Sequence, residues 1–125
     1  MVLNKHKILI LEDEKPLARA LELKLIHEGF EVKNDYNGEN LISILEKEKF
    51  SLILCDMLMP GMDGFQVLQT LKENKVKIPV IVLTNLSQAE DEKRVRELGA
   101  VDFFIKSNTP IAEVVEKVKQ RVSSL

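Results

Sequence analysis

The chain has 125 residues, enough for one domain over 1–125 that buries about two thirds of its unfolded surface, and too few for a second. Lysine and arginine number 18 against 20 acidic residues, and the net charge of −2 supplies no general attraction to nucleic acid or anionic membrane. Met1 to Lys7 lacks the apolar stretch of a signal peptide and no run reaches the roughly 20 apolar residues of a membrane span, so a soluble, cytoplasmic protein without direct nucleic-acid or membrane partners is expected.

In chain order, Lys7 to Leu11 is an apolar run that ends in Glu12-Asp13. Continuous apolar runs bounded by turn residues read as parallel strands buried on both faces. Leu17, Leu21 and Leu25 then recur at helical spacing behind the first-turn proline Pro16, with Gly29 as the C-terminal cap. Phe30 to Asn34 alternates apolar with polar, the pattern of an edge strand with one wet face. Leu41, Ile42 and Leu45 mark a second helix. Ser51 to Cys55 is the next apolar run and ends in Asp56; Cys55 sits inside it as a small hydrophobe, with no redox role expected.

Asp63 and Gly64 shape a turn and open a third helix, whose stripe is Phe65, Leu68 and Leu71. Pro79 to Leu83 runs into Thr84. A fourth helix, Gln88 to Leu98, has Ser87 and Glu90 as its capping box and Gly99 as its close. It is mostly charge, with only Ala89, Val95 and Leu98 able to face inward, so it is weakly held. Phe103 to Ile105 is a further buried strand ending in Lys106, and Thr109-Pro110 begins a fifth helix with Ile111, Val114, Val115, Val118 and Val122 on one face. His6 and His27 lie away from the strand ends and read as surface residues.

Five βα units with right-handed crossovers specify an α/β, three-layer, doubly wound (βα)5 fold around a five-stranded parallel sheet. The flavodoxin-like order 2-1-3-4-5 leaves the alternating strand at an edge and places the direction change between strands one and three, where ligands bind at the carboxyl ends. Glu12, Asp13 and Asp56 end those two strands.

Three carboxylates in one crevice repel and raise one another's pKa values unless a cation joins them. Oxygen-only ligands point to Mg²⁺, which takes one or two carboxylates and keeps several waters. Asp56 can then act as a nucleophile toward phosphorus, with Lys106 and Thr84 facing the equatorial oxygens.

The stretch Asp56-Met57-Leu58-Met59-Pro60-Gly61-Met62-Asp63-Gly64, with Glu12-Asp13 upstream and Thr84 and Lys106 downstream, resembles a response-regulator receiver domain of two-component signalling over nearly the whole chain. The resemblance implies that Asp56 is the phospho-acceptor, and that Asp13, Asp56, the backbone carbonyl of Leu58 and, through water, Glu12 hold Mg²⁺. It implies that Thr84 is the switch hydroxyl, that Lys106 pairs with the phosphoryl group, and that Phe103 is the switch aromatic. Phosphorylation by a histidine kinase or histidine phosphotransfer protein would shift the face made by the fourth helix, fifth strand and fifth helix toward an output partner, which the sequence does not name. A phosphorylation-dependent homodimer is left open as one output. The protein would be no enzyme beyond assisting its own phosphorylation and dephosphorylation.

Two positions depart from the family pattern. Ser107 follows Lys106 where a cis proline is usual, and Asn85 follows Thr84 where a small residue is typical. Leu58 and Leu86, two residues beyond Asp56 and Thr84, offer no hydrogen bond to a hydrolytic water, so a persistent acyl phosphate is expected. A haloacid-dehalogenase-type phosphohydrolase would need an aspartate where Leu58 stands. A flavodoxin-like FMN carrier would meet repulsion from Glu12-Asp13-Glu14. A pseudo-receiver that only docks partners would not need the intact site.

Overall fold

The computed structural model describes residues 6–86 and 88–125. Ten elements alternate in order: β1 (Lys7–Leu11), α1 (Lys15–His27), β2 (Glu31–Asp35), α2 (Leu41–Lys47), β3 (Leu52–Cys55), α3 (Gly64–Glu73), β4 (Val80–Thr84), α4 (Ala89–Glu97), β5 (Asp102–Ile105) and α5 (Ile111–Ser123). All four strand pairings are parallel and the sheet order is β2-β1-β3-β4-β5. The flavodoxin-like order read from the sequence is the observed one.

Successive residues of a strand face opposite ways, and each face of the sheet has its own apolar layer. Ile8, Ile10, Leu52, Leu54, Ile81 and Leu83 pack beneath α1 and α5, while Leu9, Leu11, Ile53, Cys55, Val80 and Val82 pack beneath α2, α3 and α4. No residue of β1, β3 or β4 beyond Lys7 is more than 4% exposed, which is why these runs carry no polar alternation.

The burial expected of Phe103 to Ile105 is corrected: at the second edge of the sheet, where the order 2-1-3-4-5 puts it, β5 is half-buried throughout, because α5 and α4 cover its faces but no strand covers its outer side. The α2 stripe also shifts. A 3₁₀ turn at Gly38–Asn40 precedes this helix and sets its phase, so Leu41 and Ile44 are buried whereas Ile42 is half-exposed. On α3 the buried residues are Val67, Leu68 and Leu71, and Phe65 lies half-buried under the guanidinium of Arg94.

Helix ends follow local chemistry. Gly29 and Gly99 close α1 and α4 with φ of 97° and 109°, conformations disfavoured for residues with a Cβ. Asp63 accepts from the Gln66 N–H and Gln66 returns a bond to the Asp63 N–H, a complete capping box on α3. At α4 the N-cap is Gln88, without a side-chain cap; Ser87, expected there, lies outside the described residues. Of the three residues expected to face inward on α4, only Val95 is buried; Leu98 is half-buried and Ala89 exposed. Across the sheet end, the Arg121 guanidinium bonds both carboxylate oxygens of Asp102, at 2.7 and 3.1 Å, tying α5 to β5.

Candidate functional site

The carboxyl ends of β1, β3, β4 and β5 converge on one crevice. Asp56 directly follows β3, and its N–H bonds to the Leu11 carbonyl at 3.0 Å, fixing the acid against the end of β1. One Asp56 oxygen accepts from the Leu58 N–H at 3.2 Å and the other from the Lys106 ammonium at 2.9 Å. Glu12 follows β1, and its carboxylate accepts from the Glu14 N–H at 2.9 Å and from Lys106 at 2.8 Å. Glu12 and Asp56 are buried, whereas Asp13 is exposed at the mouth.

Oxygen atoms of Glu12, Asp13 and Asp56 all lie within 4.8 Å of one another. Burial, more than repulsion, dominates the electrostatics: it pushes Glu12 up to about 7 although Lys106 and the Glu14 N–H pull it down. Desolvation works against the Lys106 ammonium, but hydrogen bonds and charge from Glu12 and Asp56 outweigh it and hold lysine above its ordinary range. An all-oxygen donor set of this kind fits a hard divalent cation.

Lys106, expected to face the phosphoryl group, has its ammonium bonded to Glu12 and Asp56 and opens a 3₁₀ turn, Lys106–Asn108. The sequence reading gave Glu14 no part in the site, yet Glu14 lies 3.3 Å from Lys106. The signal was the third consecutive acid, which reaches the same cation from the N-cap of α1. The Lys106-Ser107 peptide is trans.

Around the acids lies a cavity of about 180 Å³ lined by Asp13, Glu14, Asp56, Leu58, Asn85 and Lys106. Leu58 is exposed on its rim, and Leu86 instead packs half-buried against the core. Thr84 is fully buried at the end of β4, its hydroxyl 3.4 Å from the Leu86 N–H. Phe103 is half-buried on the face that α4 covers, in register with Val82 and packed on the cluster that contains Val95.

Close packing also holds the loop after Asp56. Gly64 N–H bonds the Met57 carbonyl at 3.0 Å, and a Cβ on Gly64 would lie 2.7 Å from Met57 Cα and 2.8 Å from the Asp56 carbonyl oxygen. Cys55 is buried, its thiol pushed up by burial and directed at the Asp56 carbonyl, as befits a core residue. His27 is exposed, whereas His6 is half-buried with Nδ1 2.8 Å from the Ser51 hydroxyl.

A family model described as "Response regulator receiver domain" matches residues 8–119. The chain is 36% identical to the probable transcriptional regulator ycf27 of Cyanophora paradoxa over 125 residues, all of this chain and 50% of that protein. It is 36% identical to the regulatory protein VanRc of Enterococcus gallinarum over 117 residues, 94% of this chain and 50% of that one. The chain thus spans about half the length of the curated relatives it matches.

Among solved structures, the signal receiver domain of a signal transduction histidine kinase from Syntrophus aciditrophicus is 34% identical with a TM-score of 0.85, covering 96% of this chain and 92% of that one. The receiver domain of the Francisella response regulator 1452 reaches a TM-score of 0.90 at 23% identity, covering 96% and 98%, a likeness of fold alone. Among the described residues no helix is long and apolar enough to cross a membrane.

Proposed function

Because the chain belongs to the response-regulator receiver family, we propose that it is the phospho-accepting receiver of a two-component phosphorelay, charged on Asp56 by a histidine kinase or a histidine phosphotransfer protein. The observation that carries this reading is the Asp56 carboxylate itself: buried at the end of β3, bonded by Lys106, and grouped with Glu12 and Asp13. An Asp56 oxygen attacks the phosphorus of a phosphohistidine, the P–N bond breaks with its electron pair returning to the imidazole, and an acyl phosphate remains.

Glu12, Asp13, Asp56 and the Leu58 backbone carbonyl would hold Mg²⁺, with Glu12 acting through water. When bound, the ion supplies the charge neutralisation that phosphoryl transfer requires. Lys106 and the Thr84 hydroxyl stabilise the equatorial oxygens, for which Lys106 exchanges carboxylate partners for the phosphoryl group. Thr84 and Phe103 then shift the α4-β5-α5 face, and α4 suits this role because a single buried side chain anchors it.

In this reading residues 1–125 form one cytoplasmic receiver domain with no catalytic activity beyond its own phosphorylation and dephosphorylation. Its output is an unnamed partner, with a phosphorylation-dependent homodimer as one form. The test is incubation with Mg²⁺ and a small phosphoramidate, followed by mass spectrometry. Labelling at Asp56 that disappears on chelation and in Asp56→Asn is expected, and full labelling of Asp56→Asn would sink the assignment.

A further inference from the structure

At the opposite end of the strands, a cavity of about 220 Å³ lies between the end of α3, the segment leading into β4 and the end of α4. Its floor is apolar, with Leu71, Val76, Ile78 and Leu98. Its rim carries Lys72, Lys75 and Lys77, and Glu97 is the one acid among its lining residues. Above it, a second cavity of about 510 Å³ shares Lys72, Glu97 and Leu98, so the two form one groove between α3 and α4.

Charge and backbone both single out the lower part. Among the described residues none of the three rim lysines has a carboxylate within 4.0 Å, which is also true of Lys15, Lys24, Lys47, Lys49 and Lys117; what sets the three apart is that they line one apolar cavity together. Glu97 and roughly half a negative charge at each of the two helix C-termini leave the rim net positive. The backbone adds a separate argument. Where α1 and α4 close with glycine, α3 closes with Lys75 at φ 56°. The closing bond, Val76 N–H to the Leu71 carbonyl at 2.9 Å, would form equally well behind a glycine. Local geometry therefore does not account for lysine there, and its position on the groove does.

We propose that this groove docks a partner protein through an acidic segment carrying a bulky apolar side chain. The side chain would enter the floor between Val76, Ile78 and Leu98, and flanking carboxylates would meet Lys72, Lys75 and Lys77. The lower part alone, about 220 Å³, is below the roughly 300 Å³ at which small-molecule pockets begin, a size that suits a single anchoring side chain. The lower cavity, which takes the apolar side chain, lies at the other end of the sheet from Asp56, so this docking stands apart from the phosphoryl chemistry.

The test uses the unphosphorylated 125-residue chain, isotopically labelled, titrated with an acetylated peptide of sequence Glu-Asp-Leu-Phe-Glu-Asp and followed by amide chemical shifts. Saturable shifts confined to residues 71–78 and 97–100 are expected. Binding should vanish for a control with serines replacing Leu-Phe and for one with lysines replacing the acids. Lys72→Glu combined with Lys77→Glu should weaken binding roughly tenfold, and Lys75→Gly roughly threefold. Because Lys75→Gly also relieves the left-handed backbone, its thermal midpoint should rise while its affinity falls, which separates docking from damage. Shifts on another face, equal binding of the serine control, unchanged affinity of Lys75→Gly, or tighter binding of dodecanoate than of the peptide would each overturn the proposal.

Discussion

Val95→Ala should open α4 without loosening the rest of the molecule. Val95 is fully buried and is the helix's one buried side chain, set among Val80, Val82 and Ala100. Truncation removes two methyl groups at about 0.8 kcal/mol each, and with a modest cavity term the loss comes to about 2 kcal/mol. What remains to hold α4 is half-buried Leu98 and the Arg94 guanidinium, 4.0 Å from the Phe65 ring, an exposed contact worth about 0.5–1 kcal/mol. If α4 opens as its own unit, amide exchange over residues 89–98 should accelerate about thirtyfold, since each 1.4 kcal/mol is a factor of ten. The control is Val118→Ala, which makes a comparable deletion on α5 where Val114, Val115 and Val122 are also buried. It should lower global stability with no excess exchange confined to α5. Exchange measured by mass spectrometry on both variants decides the matter. Equal acceleration across α1, α4 and α5 in Val95→Ala would refute the view that α4 is separately held.

Asp13→Ala should weaken Mg²⁺ binding roughly tenfold or more in calorimetry, because a hard cation loses an oxygen ligand; an unchanged affinity would count against the acid cluster as the metal site. Gly64→Ala should destabilise by about 1–3 kcal/mol in urea titration and slow labelling of Asp56, since the added carbon meets Met57 Cα and the Asp56 carbonyl. Leu58→Asn should speed loss of the phosphoryl group after donor removal, roughly tenfold, by offering a hydrogen bond to water at the cavity rim. Leu86→Glu should add less, because Leu86 is turned into the core; the opposite ranking would place water control beside Thr84.

Strand chemistry was legible because burial on two faces leaves little latitude: the limits read for β1 coincide with those observed, and β3 and β4 differ by a residue. The same logic misread β5, since an apolar run covered by helices on both faces looks the same whether or not a strand lies beside it. Phase within α2 was misjudged because a 3₁₀ turn advances the chain by three residues per turn rather than 3.6, and nothing in Gly38-Glu39-Asn40 announces it. The acids and Lys106 were recognisable by type and order. Their actual pairing was not, because contacts such as Lys106 with Glu12 and Glu14 join residues more than ninety positions apart, and only the fold brings them together.

The sheet also divides its hazards unevenly. Strand addition at an edge is discouraged on β2 by Glu31, Lys33 and Asp35, and on β5 by shortness and by the Arg121 clamp on Asp102. The interior runs, Ile8 to Leu11, Leu52 to Cys55 and Val80 to Leu83, are free of charge, proline and glycine, the composition that stacks into intermolecular β-structure once uncovered. Most lie under helices with several buried side chains, but α4 shields Val80 and Val82 with Val95 alone. Self-association of this chain should therefore begin at the strand beneath its most highly charged helix, and its rate should follow how often that helix lifts.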